Sequence, residues 1–349
     1  MLIHFLKIIG FWIGENKMQS VKILGVGKYL PEKIVDNNDM AKIVDTSDEW
    51  IVTRTGISTR HLVTSETTWE MGLKSAQMAL DNSSLTISDI DVIIGVTSSP
   101  DFFYPSLSCI IAHQMGIKNP LTIDISCACS GFVYGLDLAR RYLMDDDYNN
   151  VLLVCSETLS KQTDYTERSS CILFGDGSGS MVLTKGEGKF ASILKSDQSG
   201  IKSLSCTAME SRHPWMDKED EVNMNREYVG SKSQKIYMDG GQVYKFAVRT
   251  IPKVVNDVCA KLDMKPDDLD MIIMHQANLR IIEAAAKMMD IQSDKVFSNV
   301  SKYGNTSSAS IPICFYEALE QERIKKGDKI GMVGFGGGLT YGACVLEIC

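Results

Sequence analysis

The chain has 349 residues, 44% of them hydrophobic, enough to bury a large core and, by length, roughly two domains. Its formal net charge of −8, from 36 Lys and Arg against 44 Asp and Glu, argues against general nucleic-acid binding. Ten cysteines without paired spacing suggest a reducing compartment, and Cys127-x-Cys129 is too short and isolated for a zinc knuckle, so no metal is assigned.

From the N-terminus, Met1 to Trp12 is mostly apolar, too short to span a bilayer, and followed by no small-residue cleavage site. Residues 1–17 read as an extension ahead of the first strand, Val21–Leu24, with a peripheral membrane helix as the lesser alternative. An amphipathic helix is predicted over Trp69 to Leu80, followed by Ser88-Asp89-Ile90-Asp91-Val92-Ile93-Ile94, a polar turn entering a strand. Leu121–Ile125 reads as a buried strand, and Phe132, Val133, Leu136, Ala139, Tyr142 and Leu143 then recur at helical spacing. Between them, where strand turns into helix, stands Cys129. Unpaired N–H groups at a helix start favour a thiolate, so Cys129 is the candidate nucleophile, with a lowered pKa. For most of the other cysteines a buried structural thiol is the better reading. A strand at Asn150–Val154, the glycine-rich Gly175–Gly179 and a strand at Met181–Leu183 close the first half.

The second half repeats this order. Asp267-Asp268-Leu269-Asp270-Met271-Ile272-Ile273 echoes the segment beginning at residue 88, 179 positions on, and follows a helix predicted over Val243 to Leu262. The strand Met271–Met274 ends in His275-Gln276-Ala277-Asn278. A small-residue turn, Tyr303 to Ser310, enters a helix from Ile311 to Glu320. Strands Lys329–Val333 and Ala343–Leu346 flank the turn Gly336-Gly337-Gly338. Two copies of one α/β unit are implied, at 18–190 and 191–349, folding as one body because no linker parts them. Strands alternating with helices imply mainly parallel sheets covered on both faces. The glycine-rich segments lack a dinucleotide or P-loop pattern and read as strand-connecting turns. Cys129, His275 and Asn305 end their strands on the same side, so a cleft between the halves brings them together. The residue types alone equally suit the triad of a papain-like protease.

The chain resembles the 3-oxoacyl-[acyl-carrier-protein] synthase III family, the initiating condensing enzymes of bacterial fatty-acid synthesis, from Val21 to the C-terminus. The resemblance rests on Thr46 to Ile57, the Cys129 run, Phe174-Gly175-Asp176-Gly177, His275 to Arg280, Gly304-Asn305-Thr306 and Phe335 to Gly338. The Asn305 segment separates this type from elongating synthases, which use a second histidine there. The resemblance implies a thiolase-like fold, two pseudo-symmetric α/β halves in a layered α-β-α-β-α body. It implies a two-stage reaction, in which Cys129 takes an acyl group from acyl-CoA. Malonyl-carrier protein then loses carbon dioxide while His275 and Asn305 hold the enolate, with the N–H groups of Cys129 and Gly337 as oxyanion hole. Coenzyme A enters as the substrate's thioester and no cofactor is held permanently.

Other roles follow from the same resemblance. Trp50 and Arg168 match residues that sandwich the adenine of CoA, and Thr46, Arg54, Gly240 and Asn278 match others along its channel. Lys245, Arg280 and Lys287 match a basic patch for the acidic carrier protein, although Met288 stands where a further lysine is common. Tyr104 matches a residue, often phenylalanine, that reaches into the acyl pocket of the neighbouring subunit in a homodimer. Cys127 replaces a small apolar residue, and forms a short-range disulfide or simply packs. Ser205 to Ser233 is longer and more charged than its counterpart, as a surface loop near the tunnel mouth. The expected enzyme is cytoplasmic, with a short acyl-CoA starter, acetyl or small branched. The alternatives are a condensing enzyme of secondary metabolism and, more remotely, a Cys-His-Asn hydrolase.

Overall fold

The computed structural model describes residues 20–207, 215 and 234–349; the N-terminal extension and most of the loop expected at 205–233 lie outside them. One five-stranded sheet has the order β1-β7-β6-β4-β5, built from β1 (Ser20–Tyr29), β4 (Val92–Val96), β5 (Leu121–Ile125), β6 (Asn150–Thr158) and β7 (Asp176–Gly186). The second has the order β12-β11-β13-β14-β8, from β8 (Phe190–Ser196), β11 (Met271–Met274), β12 (Val296–Phe297), β13 (Lys329–Gly336) and β14 (Thr340–Glu347). Two small ribbons, β2 (Lys33–Asp36) with β3 (Thr59–Leu62) and β9 (Leu204–Ser205) with β10 (Tyr237–Met238), lie outside this frame.

The repeat is carried into the register. Val92 of β4 pairs with Val151 of β6, and Met271 of β11 pairs with Ile330 of β13, each partner 179 residues after its counterpart. Neither sheet is mainly parallel, contrary to expectation. In each, two strand pairings are parallel and two antiparallel. The connection from β13 to β14, residues 337–339, leaves no room for a crossover helix, so β14 returns antiparallel; the longer segment 159–175 between β6 and β7 holds short helical turns, and β7 returns antiparallel as well.

Seven longer helices complete the layers: α1 (Asp48–Thr55), α2 (Thr68–Asp81), α3 (Leu107–Met115), α4 (Gly131–Leu143), α5 (Gly240–Ala260), α6 (Leu279–Met288) and α7 (Ser310–Glu320). The start of α2 is fixed by a capping box, with Thr67 and Glu70 each bonding the other's backbone N–H. In α4 and α7, Phe132, Leu136, Ile311 and Phe315 pack between the sheets, against Val92 and Ile94 on one side and Met271 and Ile273 on the other. Ile93 and Ile272 point the opposite way, as strand alternation requires, towards outer layers of α2 and α3 and of α5 and α6. The result is the expected α-β-α-β-α stack. No helix among the described residues is long and apolar enough to cross a membrane.

The run Gly175–Gly179 is not a turn. From Asp176 onward it belongs to β7, and its glycines serve close packing. A Cβ at Gly179 would stand 2.8 Å from Pro312 Cγ and 3.0 Å from the Ile313 backbone N, so α7 lies directly on the strand. Gly179→Ala should therefore destabilise the fold by about 1–3 kcal/mol through overpacking, read as a lowered urea midpoint at unchanged slope.

Candidate active site

A cavity of about 1230 Å³ opens where the carboxyl ends of the parallel strands of both sheets converge. Cys129, His275 and Asn305 all line it, as do Ser98, Cys127, Ser307, Phe335 and Gly336 to Gly338. Two strand-to-helix turns of the same build form its centre. After β5, residues Ala128–Ser130 make a 3-10 turn into α4, and residues Ser307–Ala309 do the same ahead of α7. Ala128 and Ser307, again 179 apart, both take left-handed backbone, at φ 45° and 51°.

The nucleophile turn sits against β13. A Cβ at Gly336 would come within 2.6 Å of the Cys129 backbone N, so only glycine admits this approach. Ser130 Oγ donates to the Cys127 carbonyl at 2.7 Å and meets Thr340 Oγ1 at 2.7 Å, tying the turn to β14. The thiol is dry. Burial pushes Cys129 up to about 12, opposed by a hydrogen bond from Ser307 and reinforced by the nearby Glu157 carboxylate. The lowered pKa expected from a helix start is thus corrected. Cys129 lies in the 3-10 turn before α4, and loss of water outweighs the terminal amides.

His275 extends β11, its N–H donating to Val333 O at 2.8 Å. Its Nδ1 lies 2.7 Å from Ser310 Oγ, which also accepts the Gln276 N–H at 3.3 Å. Phe335 meets the imidazole edge-on, with ring centroids 5.4 Å apart. Burial brings the imidazole down to about 3, so it is neutral at physiological pH. Asn305 is held through its backbone, donating to Leu173 O at 2.8 Å and accepting from Gly175 N–H at 3.0 Å. Gly175 and Gly304 permit that contact, since a Cβ on either would strike backbone oxygen, at 2.3 Å from Tyr303 O and 2.7 Å from Leu173 O. The Asn305 Oδ1 accepts the Ser307 N–H at 2.9 Å, which leaves the NH2 as the side chain's donor.

Of the other expected site residues, Trp50, Arg54, Gly240, Lys245, Asn278, Arg280 and Gly337 line the same cavity. Arg168 reaches it through Trp50: its guanidinium lies 4.7 Å from the indole centroid and that of Arg54 4.8 Å. Asn278 also has structural work, capping α6 at the Arg280 N–H and donating to Arg54 O at 3.0 Å. Thr46, Lys287 and Tyr104 are outside the cavity lining. Thr46 Oγ1 is buried without a partner, Lys287 lies in the last turn of α6, and Tyr104 is 88% exposed beside exposed Phe102 and Phe103. Cys127 is a free thiol, so the disulfide alternative fails. Ser307, Ser310 and Phe335 were not singled out from sequence. Each falls within or beside a quoted motif, but only the folded chain gives it a partner.

The architecture is that of the thiolase-like enzymes, with a buried cysteine from one half facing a histidine and an asparagine from the other. Models of 3-oxoacyl-[acyl-carrier-protein] synthase III match residues 123–200 and, for its C-terminal part, 259–348. A beta-ketoacyl-[acyl-carrier-protein] synthase III of Clostridium acetobutylicum is 42% identical over 95% of this chain and 99% of its own. The crystal structure of the Aquifex aeolicus 3-oxoacyl-[acyl-carrier-protein] synthase III superposes with a TM-score of 0.84 at 40% identity, covering 94% of this chain and 99% of that one. A priming beta-ketosynthase of polyketide biosynthesis superposes at 0.85 with 29% identity, covering 95% and 96%. The chain belongs to the 3-oxoacyl-[acyl-carrier-protein] synthase III family.

The depressed His275 pKa has a signed consequence for stability. The unfolded chain binds a proton at this residue below its ordinary value of 6.5 while the folded chain stays neutral down to about 3. Stability from this group is therefore complete above pH 6.5 and is lost as pH falls through that window. From pH 7 to 5 wild type should lose about 2 kcal/mol more than His275→Gln, measured by urea unfolding at each pH.

Proposed function

We propose that the protein condenses a short acyl-CoA with malonyl-[acyl-carrier-protein], releasing CoA and carbon dioxide and forming the 3-oxoacyl-carrier protein that initiates fatty-acid synthesis. One observation carries the reading: Cys129 from one half and His275 with Asn305 from the other, all three buried, line a single cavity. In the first stage Cys129 Sγ forms a bond to the acyl carbonyl carbon, the bond to CoA sulfur breaks, and the thiol proton leaves on CoA. In the second, the malonyl carboxylate departs as carbon dioxide and its bonding pair becomes an enolate. A neutral imidazole and the Asn305 NH2 are both suited to hydrogen-bond that enolate's oxygen. The enolate carbon then bonds to the acyl carbon, the thioester bond to Cys129 Sγ breaks with its electron pair left on sulfur, and the thiolate takes a proton from solvent. The oxyanion hole is assigned to the Cys129 and Gly337 N–H groups.

The same reading assigns Trp50, Arg168, Thr46, Arg54, Gly240 and Asn278 to CoA. It assigns the exposed cations Lys245, Arg280 and Lys287 to the carrier protein, against an overall charge of −8. The exposed Phe102-Phe103-Tyr104 segment supports a homodimer in which Tyr104 closes the partner's acyl pocket. The enzyme is assigned to the cytoplasm. Priming of polyketide synthesis is the second reading, favoured by the superposition on such an enzyme. The higher identity to fatty-acid enzymes supports the first.

Cys129→Ser should show no acyl-enzyme by intact-mass spectrometry after acetyl-CoA. His275→Ala and Asn305→Ala should keep most acylation and lose about 10²-fold or more in malonyl decarboxylation. Equal loss in both stages contradicts the enolate role.

Arg280→Glu should slow turnover with malonyl-carrier protein far more than acylation by acyl-CoA, and the difference should shrink with added salt. Among acyl donors, acetyl-CoA and isobutyryl-CoA should acylate faster than octanoyl-CoA, with Tyr104→Ala shifting the preference to longer chains. Faster acylation by octanoyl-CoA in wild type favours the polyketide reading.

A further inference from the structure

Glu157, the penultimate residue of β6, is fully buried. Its carboxylate accepts from Ser98 N–H at 3.0 Å, Ser98 Oγ at 3.0 Å, Ser99 Oγ at 2.8 Å and Ser308 Oγ at 2.7 Å, with Thr97 Oγ1 further off at 3.4 Å. Among the described residues its donors are hydroxyls and one backbone N–H, with no cation. Burying a carboxylate without a counter-charge is unfavourable even when hydrogen bonds replace water. Packing alone gives no reason for an acid here.

The internal symmetry gives one. The residue 179 after Glu157 is Gly336, whose missing side chain seats the Cys129 turn. The residue 179 after Cys129 is Ser308, which Glu157 holds. Where the second half leaves a space for the nucleophile turn, the first half fills the equivalent space with an acid that grips the Asn305 turn. On its other side the same carboxylate grips Thr97 to Ser99, and Ser98 is part of the cavity wall.

We propose that Glu157 is a positioning residue of the condensation stage, clamping the Asn305 turn of the second half to the first-half wall beside Cys129. It touches no substrate; it acts through Ser308 on where the Asn305 NH2 stands relative to the acylated cysteine. The proposal rests on the assignment of Asn305 to the enolate.

The test compares Glu157→Gln, Ser308→Ala and Ser99→Ala, using acetyl-CoA for self-acylation, malonyl-carrier protein for decarboxylation, and thermal unfolding as a control. Glu157→Gln keeps the shape but replaces one of two accepting oxygens by an NH2 donor, which weakens the clamp, and Ser308→Ala cuts its link to the turn. In both, the ratio of decarboxylation to acylation should fall by about tenfold or more, in kcat with KM for malonyl-carrier protein nearly unchanged, as expected for a misplaced group. Ser99→Ala removes a bond to the same carboxylate on the wall side. It should lower thermal stability and leave the ratio within about twofold. An unchanged ratio in Glu157→Gln and Ser308→Ala overturns the proposal, and so does an equal fall in Ser99→Ala, which marks a general structural role. Wild-type enzyme that takes up no acetyl group overturns the reading of the site, and this proposal with it.

Discussion

The burial of a thiol and an imidazole at the meeting point of two turns governs this molecule. Cys129 and His275 are both buried, and burial acts on them in opposite senses, raising the thiol to about 12 and lowering the imidazole to about 3. Both effects favour the uncharged form. The resting site therefore holds a neutral thiol and a neutral ring, not an ion pair of the papain type. That choice suits a condensing enzyme. A neutral imidazole can donate a hydrogen bond to an enolate without first losing a charge.

The burial comes from close backbone contact around the two turns. Gly336 lets β13 touch the Cys129 turn, while Gly175 and Gly304 let the segment entering β7 touch the Asn305 turn. Side chains at those positions would hold the turns apart. Five layers follow from the same demand. With α4 and α7 sandwiched between the sheets, each helix begins at the cavity and buries its length in the shared core, which fixes the turn that precedes it.

Much of this was legible in the sequence. The 179-residue echo foretold two equivalent sheets, and the residues at strand ends foretold which side chains meet. The strand Leu121–Ile125 and the strand Met271–Met274 fall where alternation and apolar runs put them. Strand direction was not legible, because the hydrophobic pattern of β7 is the same whichever way it runs beside β6. The Gly175–Gly179 run misled, since glycines that admit a neighbouring helix look in sequence like glycines that turn a chain. The ionisation of Cys129 was misjudged for a related reason. A helix start is a local feature, whereas its desolvation is supplied by residues about 200 positions away. Glu157 drew no notice at all, because a polar residue ending a strand is ordinary until Ser308 is seen beside it.

The most direct test of the buried, neutral site is the pH dependence of Cys129 alkylation by iodoacetamide, followed peptide by peptide by mass spectrometry in the substrate-free enzyme. The rate at Cys129 should be slow at neutral pH and still climbing above about pH 9, since only the thiolate reacts. A rate that has levelled off by about pH 7 would reveal a thiolate already formed and contradict the account.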